Sequence, residues 1–133
     1  VAAAAAAVVV LAGCGGGSDK PDAKPSASTS KSAPAVAPRD ALETYEQETA
    51  SGCTDADDCQ AFMTRKLAAA DKVREAMQVK DASLYAVPIG YVDEADRQAD
   101  HYGRENLSAR GNMLAVSLPL QRMVAWFREH PEG

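Results

Sequence analysis

The chain has 133 residues, with 14 Lys and Arg, 19 Asp and Glu and a formal net charge of −5, a length that suits one small domain with appendages and excludes a multidomain enzyme. Up to Arg39 the charges are Asp19 and Asp22 against Lys20, Lys24, Lys31 and Arg39, which leaves 17 acidic and 10 basic residues beyond it. An acidic body argues against nucleic acid, whose phosphates are bound by clustered Lys and Arg, and the weakly basic front segment is too thin for a polybasic membrane patch.

Residues 1 to 12 are all Ala, Val or Leu. A run of that length is too short to cross about 30 Å of hydrocarbon as a helix and fits the apolar core of an export signal. It begins at Val1 with no basic residue before it, so a Met and one or more Lys or Arg are expected upstream. The run closes with Leu11-Ala12-Gly13-Cys14, small residues before a Cys at the end of an apolar core. This order resembles the lipobox of bacterial lipoproteins, a resemblance that covers about the first 14 residues. It implies that residues 1–13 are a signal peptide removed by a dedicated peptidase and that the Cys14 thiol carries a diacylglyceryl group. Cys14 then becomes the first mature residue, with an amino terminus open to a further acyl chain such as palmitate. Two or more chains give a stable anchor where one gives marginal binding, since each buried methylene contributes about 0.8 kcal/mol. The implied location is the outer, extracytoplasmic face of the cell membrane, with the membrane as partner through Cys14.

From Gly15 to Arg39 the chain is almost entirely Gly, Ser, Pro, Ala, Thr and Lys. Such a segment has too little apolar surface to build a core, so residues 14–39 are expected to be a lipidated Cys followed by a disordered linker. Its root-mean-square reach is roughly 25–30 Å, which holds the folded part off the headgroups.

Cys14 also accounts for an odd thiol count in an exported chain with three Cys. Cys53 and Cys59 remain free to pair where disulfides persist, and their Cys-x5-Cys spacing lacks the pattern of thiol oxidoreductases and zinc sites. Closing so short a loop is worth about 2.4 kcal/mol in the chain-entropy account.

The composition shifts at Asp40, where a folded domain over 40–133 is expected to begin. Asp40 and Glu43 resemble a capping box for a short first helix with Leu42, Tyr45 and Ala50 on its apolar edge, stopped by Ser51-Gly52. Thr54 and Asp57 give a second capping signature, with Asp55, Asp57 and Asp58 placed where a helix dipole favours acid. The second helix runs to about Val79 on the stripe Phe62, Met63, Leu67, Ala70, Val73 and Met77, which steps by three and four. Asp81 is expected to cap a third, with Leu84, Pro88, Tyr91, Val92, Ala95, Ala99 and Tyr102 along one face. Pro88 raises the alternative of a start near Val87-Pro88 after an extended Leu84–Val87. Arg110-Gly111 closes this segment, and the last helix runs from Met113 to about His130 with Leu114, Val116, Leu120, Met123, Val124 and Phe127 apolar. Ser117 offers a cap that would place Pro119 in a first turn. The fold expected is all-α, a small three- to four-helix antiparallel bundle behind a tether.

The densest polar stretch is Asp93 to Glu105. On a helix Asp93, Asp96 and Asp100 share a face and His101 lies one turn before Glu105, which makes these five the weak candidates for a metal or small ligand. The same spacing gives surface pairs Asp93–Arg97, Asp100–Arg104 and His101–Glu105, and this reading is preferred because the interleaved arginines repel a cation and the Glu-x-x-His motif of di-iron bundles is missing. The Met residues fall mostly on apolar stripes as core filler rather than copper ligands. With no nucleophile elbow and no phosphate loop, neither catalytic residues nor a cofactor are expected. The Ala-rich chain with its short lipobox and Gly/Ser-rich tether looks like the small lipoproteins of actinobacteria. The function expected is a non-catalytic helical binding or interaction module with an envelope protein partner. A metal or ligand carrier built on His101 and its carboxylates stands as the alternative, and a small envelope hydrolase as the remotest.

Overall fold

A computed structural model describes residues 35–132; the expected signal segment, Cys14 and most of the expected linker lie outside the described residues. Four helices follow in order: α1 (Pro38–Thr49), α2 (Ala56–Asp81), α3 (Ala86–Tyr102) and α4 (Arg110–Glu129). No strand occurs among the described residues, so the extended alternative for 84–87 is not taken. The fold is a small all-α bundle in which short connections reverse the chain at each step. α1 packs on α2, α3 on α4, and the α2–α3 seam joins the two hairpins.

The core grows from the stripe expected on α2. Met63, Ala70, Val73 and Met77 are fully buried there, and they meet Val92, Ala95 and Ala99 from α3 and Val116, Leu120 and Met123 from α4. The small alanines let the helix axes approach, and the unbranched methionines fill the irregular space between them. Among the described residues no helix is long and apolar enough to cross a membrane.

Several boundaries differ from the sequence reading, each for a local reason. α1 starts two residues before the expected domain edge, with Pro38 at its first position and no side-chain cap on Ala37; Asp40 sits in the first turn instead of capping it. A proline suits that place because its fixed φ is helical and its missing N–H would have no helical partner. The start of α2 is capped by Asp55, whose Oδ1 accepts from Asp58 N at 2.9 Å, and Asp58 Oδ2 accepts in return from Thr54 N at 2.9 Å. The cap is therefore Asp55, one residue after the expected Thr54, and the return bond from Asp58 reaches the N–H of Thr54 and not that of the cap itself. Asp81 ends α2, and its Oδ1 accepts from Ser83 N and Leu84 N in the turn that follows.

Tyr85, rather than Leu84, enters the core: Tyr85 is 2 % exposed and Leu84 54 %. Its ring packs against both Trp126 and Phe127, at centroid distances of 5.7 and 6.0 Å. Pro88 falls in the first turn of α3, where it breaks no hydrogen bond. α3 stops at Tyr102 because Gly103 takes φ 84, so Arg110 and Gly111 open α4 instead of closing α3. α4 then runs unbroken through Pro119, leaving Ser117 inside the helix and not at a cap. Leu114 faces outward, 55 % exposed.

Two side chains tie the ends of the bundle together. Gln60 on α2 receives the Leu107 and Ser108 N–H groups on Oε1, at 2.7 and 3.2 Å, and donates Nε2 to Arg104 O at 2.6 Å, which fixes the α3–α4 connection. Arg39 donates Nη2 to Phe127 O and His130 O, at 3.1 and 2.6 Å, satisfying carbonyls that the end of α4 leaves without helical donors. The Cys53–Cys59 disulfide joins the α1–α2 connection to the first turn of α2, with Cα atoms 4.9 Å apart.

Candidate functional site

Three places concentrate chemistry: a charged seam, a half-buried amine and an apolar groove. The seam joins α2 to α3. Arg74 Nη1 donates to Asp93 Oδ1 at 3.0 Å and Asp96 Oδ2 at 2.8 Å, while Arg104 binds Asp96 Oδ1 at 2.9 Å and Asp100 Oδ1 at 2.6 Å. Arg74 Nη2 also lies 2.8 Å from Asp71 Oδ1, but its alignment makes this an ion contact without a hydrogen bond, and that buried oxygen has no other partner. Burial and the facing Asp96 charge push the Asp71 carboxyl above the usual carboxylate range, with Arg74 opposing them.

The five weak ligand candidates therefore separate. Asp93, Asp96 and Asp100 are engaged by guanidinium groups, and Arg97 pairs with Glu94 at 2.6 Å in place of the expected Asp93. The expected Asp100–Arg104 pair is present. His101 lies edge-on to Tyr102, with ring centroids 4.8 Å apart. Glu105 stands beyond the turn at Gly103, so the helical spacing that would have paired it with His101 is lost; its Oε1 accepts from Asn106 Nδ2 at 3.3 Å. Among the described residues no three His, Cys, Asp or Glu side chains gather where they would hold a metal ion.

The half-buried amine is Lys66. Its Nζ lies 3.2 Å from Ser117 Oγ on α4 and 5.6 Å from the centre of the Phe62 ring, and burial lowers its pKa. Ser117 Oγ in turn sits 3.9 Å from Met63 Sδ. An amine beside a hydroxyl is the pairing from which a serine nucleophile is activated. Here, however, the serine is buried in mid-helix, where neighbouring backbone N–H groups are committed to the helix and offer no oxyanion hole. The contact packs α2 against α4. It is invisible in the sequence because the two residues lie 51 apart.

The groove lies between α1 and α2, beside the extended residues that lead into α1. It encloses about 430 Å³, within the usual range of small-molecule sites. Ala41, Ala69 and Ala76 form a floor that is 6, 2 and 6 % exposed, and Val36 and Val79 form walls that are 60 and 63 % exposed. Of the polar groups lining it, Thr44 already donates Oγ1 to Asp40 O at 3.0 Å, Lys72 faces Glu48 at 3.7 Å, and Glu75 is an exposed carboxylate. A second lobe of about 280 Å³ shares Val36, Ala76 and Val79 and ends at Lys80. No residue of this groove was singled out from the sequence; the only signal was alanines at 69 and 76, one heptad apart, off the main stripe of α2. Comparison of the chain with protein-family models, curated proteins and solved structures finds no match.

Proposed function

We propose that this chain is a membrane-anchored, extracytoplasmic lipoprotein whose helical body is a non-catalytic binding module of the cell envelope. Anchoring rests on Leu11-Ala12-Gly13-Cys14 after an apolar run. Binding rests on one observation: the apolar groove opens to solvent beside Val36, where the linker reaches the bundle. Elsewhere the polar chemistry is turned inward, carboxylate onto guanidinium in the seam and amine onto hydroxyl at Lys66. Among the described residues the carrier reading built on His101 has no convergent ligand set behind it, and Ser117, the hydroxyl beside Lys66, has no oxyanion hole.

Anchoring is tested by fractionating cells that express the precursor and weighing its N-terminal peptide. The native chain is expected in the membrane with a diacylglyceryl group on Cys14, and Cys14→Ser is expected without that group. An unmodified Cys14 on a released native chain would overturn the anchor.

A further inference from the structure

We propose that the α1–α2 groove binds a single aliphatic chain with an anionic head, drawn from an envelope lipid other than the protein's own anchor. The inference deepens the binding reading above and rests on it.

The lining selects the chemistry. Alanine and valine side chains make up the floor and walls; of the polar lining, Thr44 is hydrogen-bonded to Asp40 O, and Lys72 and Glu75 are exposed side chains. A polar ligand on the Ala41, Ala69 and Ala76 floor would lose its water without gaining partners there, which is unfavourable. No aromatic ring lines either lobe, so nothing stacks on a planar ligand. A straight hydrocarbon chain meets both conditions, since it needs contact and no hydrogen bonds. Charge sets its direction. Lys72 has Glu48 for a partner and the larger lobe carries Glu75, whereas Lys80, which has no ion-pair partner among the described residues, is the one charged residue lining the second lobe. The head lies at Lys80 and the tail runs past Val79 into the larger lobe.

Position on the chain selects the source. The groove wall is made by Ala35 and Val36, the first described residues after the expected tether. Ala35 lies 21 residues after Cys14, and a spacer of that length and composition is expected to reach about 25 Å, which would bring the groove of an anchored molecule within reach of the leaflet. Val36 and Val79 stay largely exposed, as Val87 on α3 also does, whereas Val73, Val92 and Val116 are fully buried. A ligand tail supplies the cover that the fold does not.

The test uses the mature chain from residue 14 to 133, lipidated in detergent-free nanodiscs and also as unlipidated Cys14→Ser. Each is titrated calorimetrically with octanoate, decanoate, dodecanoate and tetradecanoate. Affinity is expected to rise about fourfold per added methylene and then to level off when the groove is full. Val79→Glu and Val36→Glu are expected to weaken dodecanoate binding at least about tenfold; Val36 precedes α1, so its variant leaves every helix intact. Lys80→Gln is expected to weaken dodecanoate several-fold and leave dodecanol unchanged. Equal binding by native chain and both glutamate variants, or no binding at all, overturns the site. Binding by Cys14→Ser but not by the lipidated chain overturns the choice of source, since the anchor then fills its own groove. A concentration-dependent dimer lost in Val79→Glu, with no carboxylate binding, gives the groove to a second copy and also overturns the proposal. The anchor is read separately from the Cys14 peptide mass, so failure here is distinguishable from failure of the lipoprotein reading.

Discussion

The two faces of α2 carry opposite solutions to the same problem. Toward α3, α2 presents Asp71 and Arg74, and the seam satisfies itself: two guanidinium groups spread over four carboxylates from α2 and α3. Toward α1, α2 presents Ala69, Ala76 and Val79, and the apolar surface is left short of cover. The seam is rich in charge yet offers little to a ligand, because each cation already has more anion than it can neutralise. The groove is chemically plain and offers area. Conspicuous polar residues thus mark the scaffold of this protein, and two inconspicuous valines, Val36 and Val79, mark its open groove.

The largest expected effect comes from breaking the seam. Arg74→Ala removes the group shared by Asp71, Asp93 and Asp96 and leaves three carboxylates facing one another, a loss of about 2–3 kcal/mol measurable by urea unfolding. Binding in the groove is expected to be unchanged in folded Arg74→Ala, which separates scaffold from site. Next comes the staple: replacing Cys53 and Cys59 by Ser is expected to cost about 2 kcal/mol, read as a lower midpoint with the native chain approaching it under reductant.

A smaller effect tests the sign of the seam's titration. The folded Asp71 carboxyl is held above its unfolded value, so the stability it contributes is complete below the ordinary carboxylate range and is lost as pH rises through the raised value. Asp71→Asn stays neutral throughout. It is expected to melt like the native chain in acid and above it once the native Asp71 ionises; identical curves at all pH would show that Arg74 offsets the effect of burial and of the facing Asp96 charge. The smallest effect is expected in the groove, where Val79→Glu changes stability by no more than about 0.5 kcal/mol because the side chain is largely exposed. A large loss there would mean that the groove is core, and the contrast between the two faces would fail.

The stripe on α2 was legible because burial on one helix face repeats every three to four residues: Phe62, Met63, Leu67, Ala70, Val73 and Met77 are all buried. The Cys53–Cys59 pairing was legible from short-range chain connectivity. Ends were harder. Asp55 competes with Thr54, and Pro38 with Asp40, for the same start, and a local pattern does not rank two adequate caps. Leu84 and Tyr85 are both apolar, and only the rings of Trp126 and Phe127, some 40 residues on, decide which turns inward. Arg74 escaped notice for the same reason: local spacing assigned the acids of α3 to arginines in their own segment, whereas the structure brings one across from α2. The groove was least legible, since it depends on how closely α1 approaches α2 and on where residues 35–37 run.

The most direct measurement of the central claim is a native mass spectrum of the mature chain released from cell envelopes, beside Val79→Glu prepared in the same way. The account predicts a native chain that carries, in addition to its Cys14 lipid, a non-covalent adduct with the mass of a lipid or fatty acid, and a Val79→Glu chain without it. A metal adduct lost on His101→Ala, or an identical adduct on both chains, would contradict the account and return attention to the polar segment from Asp93 to Glu105.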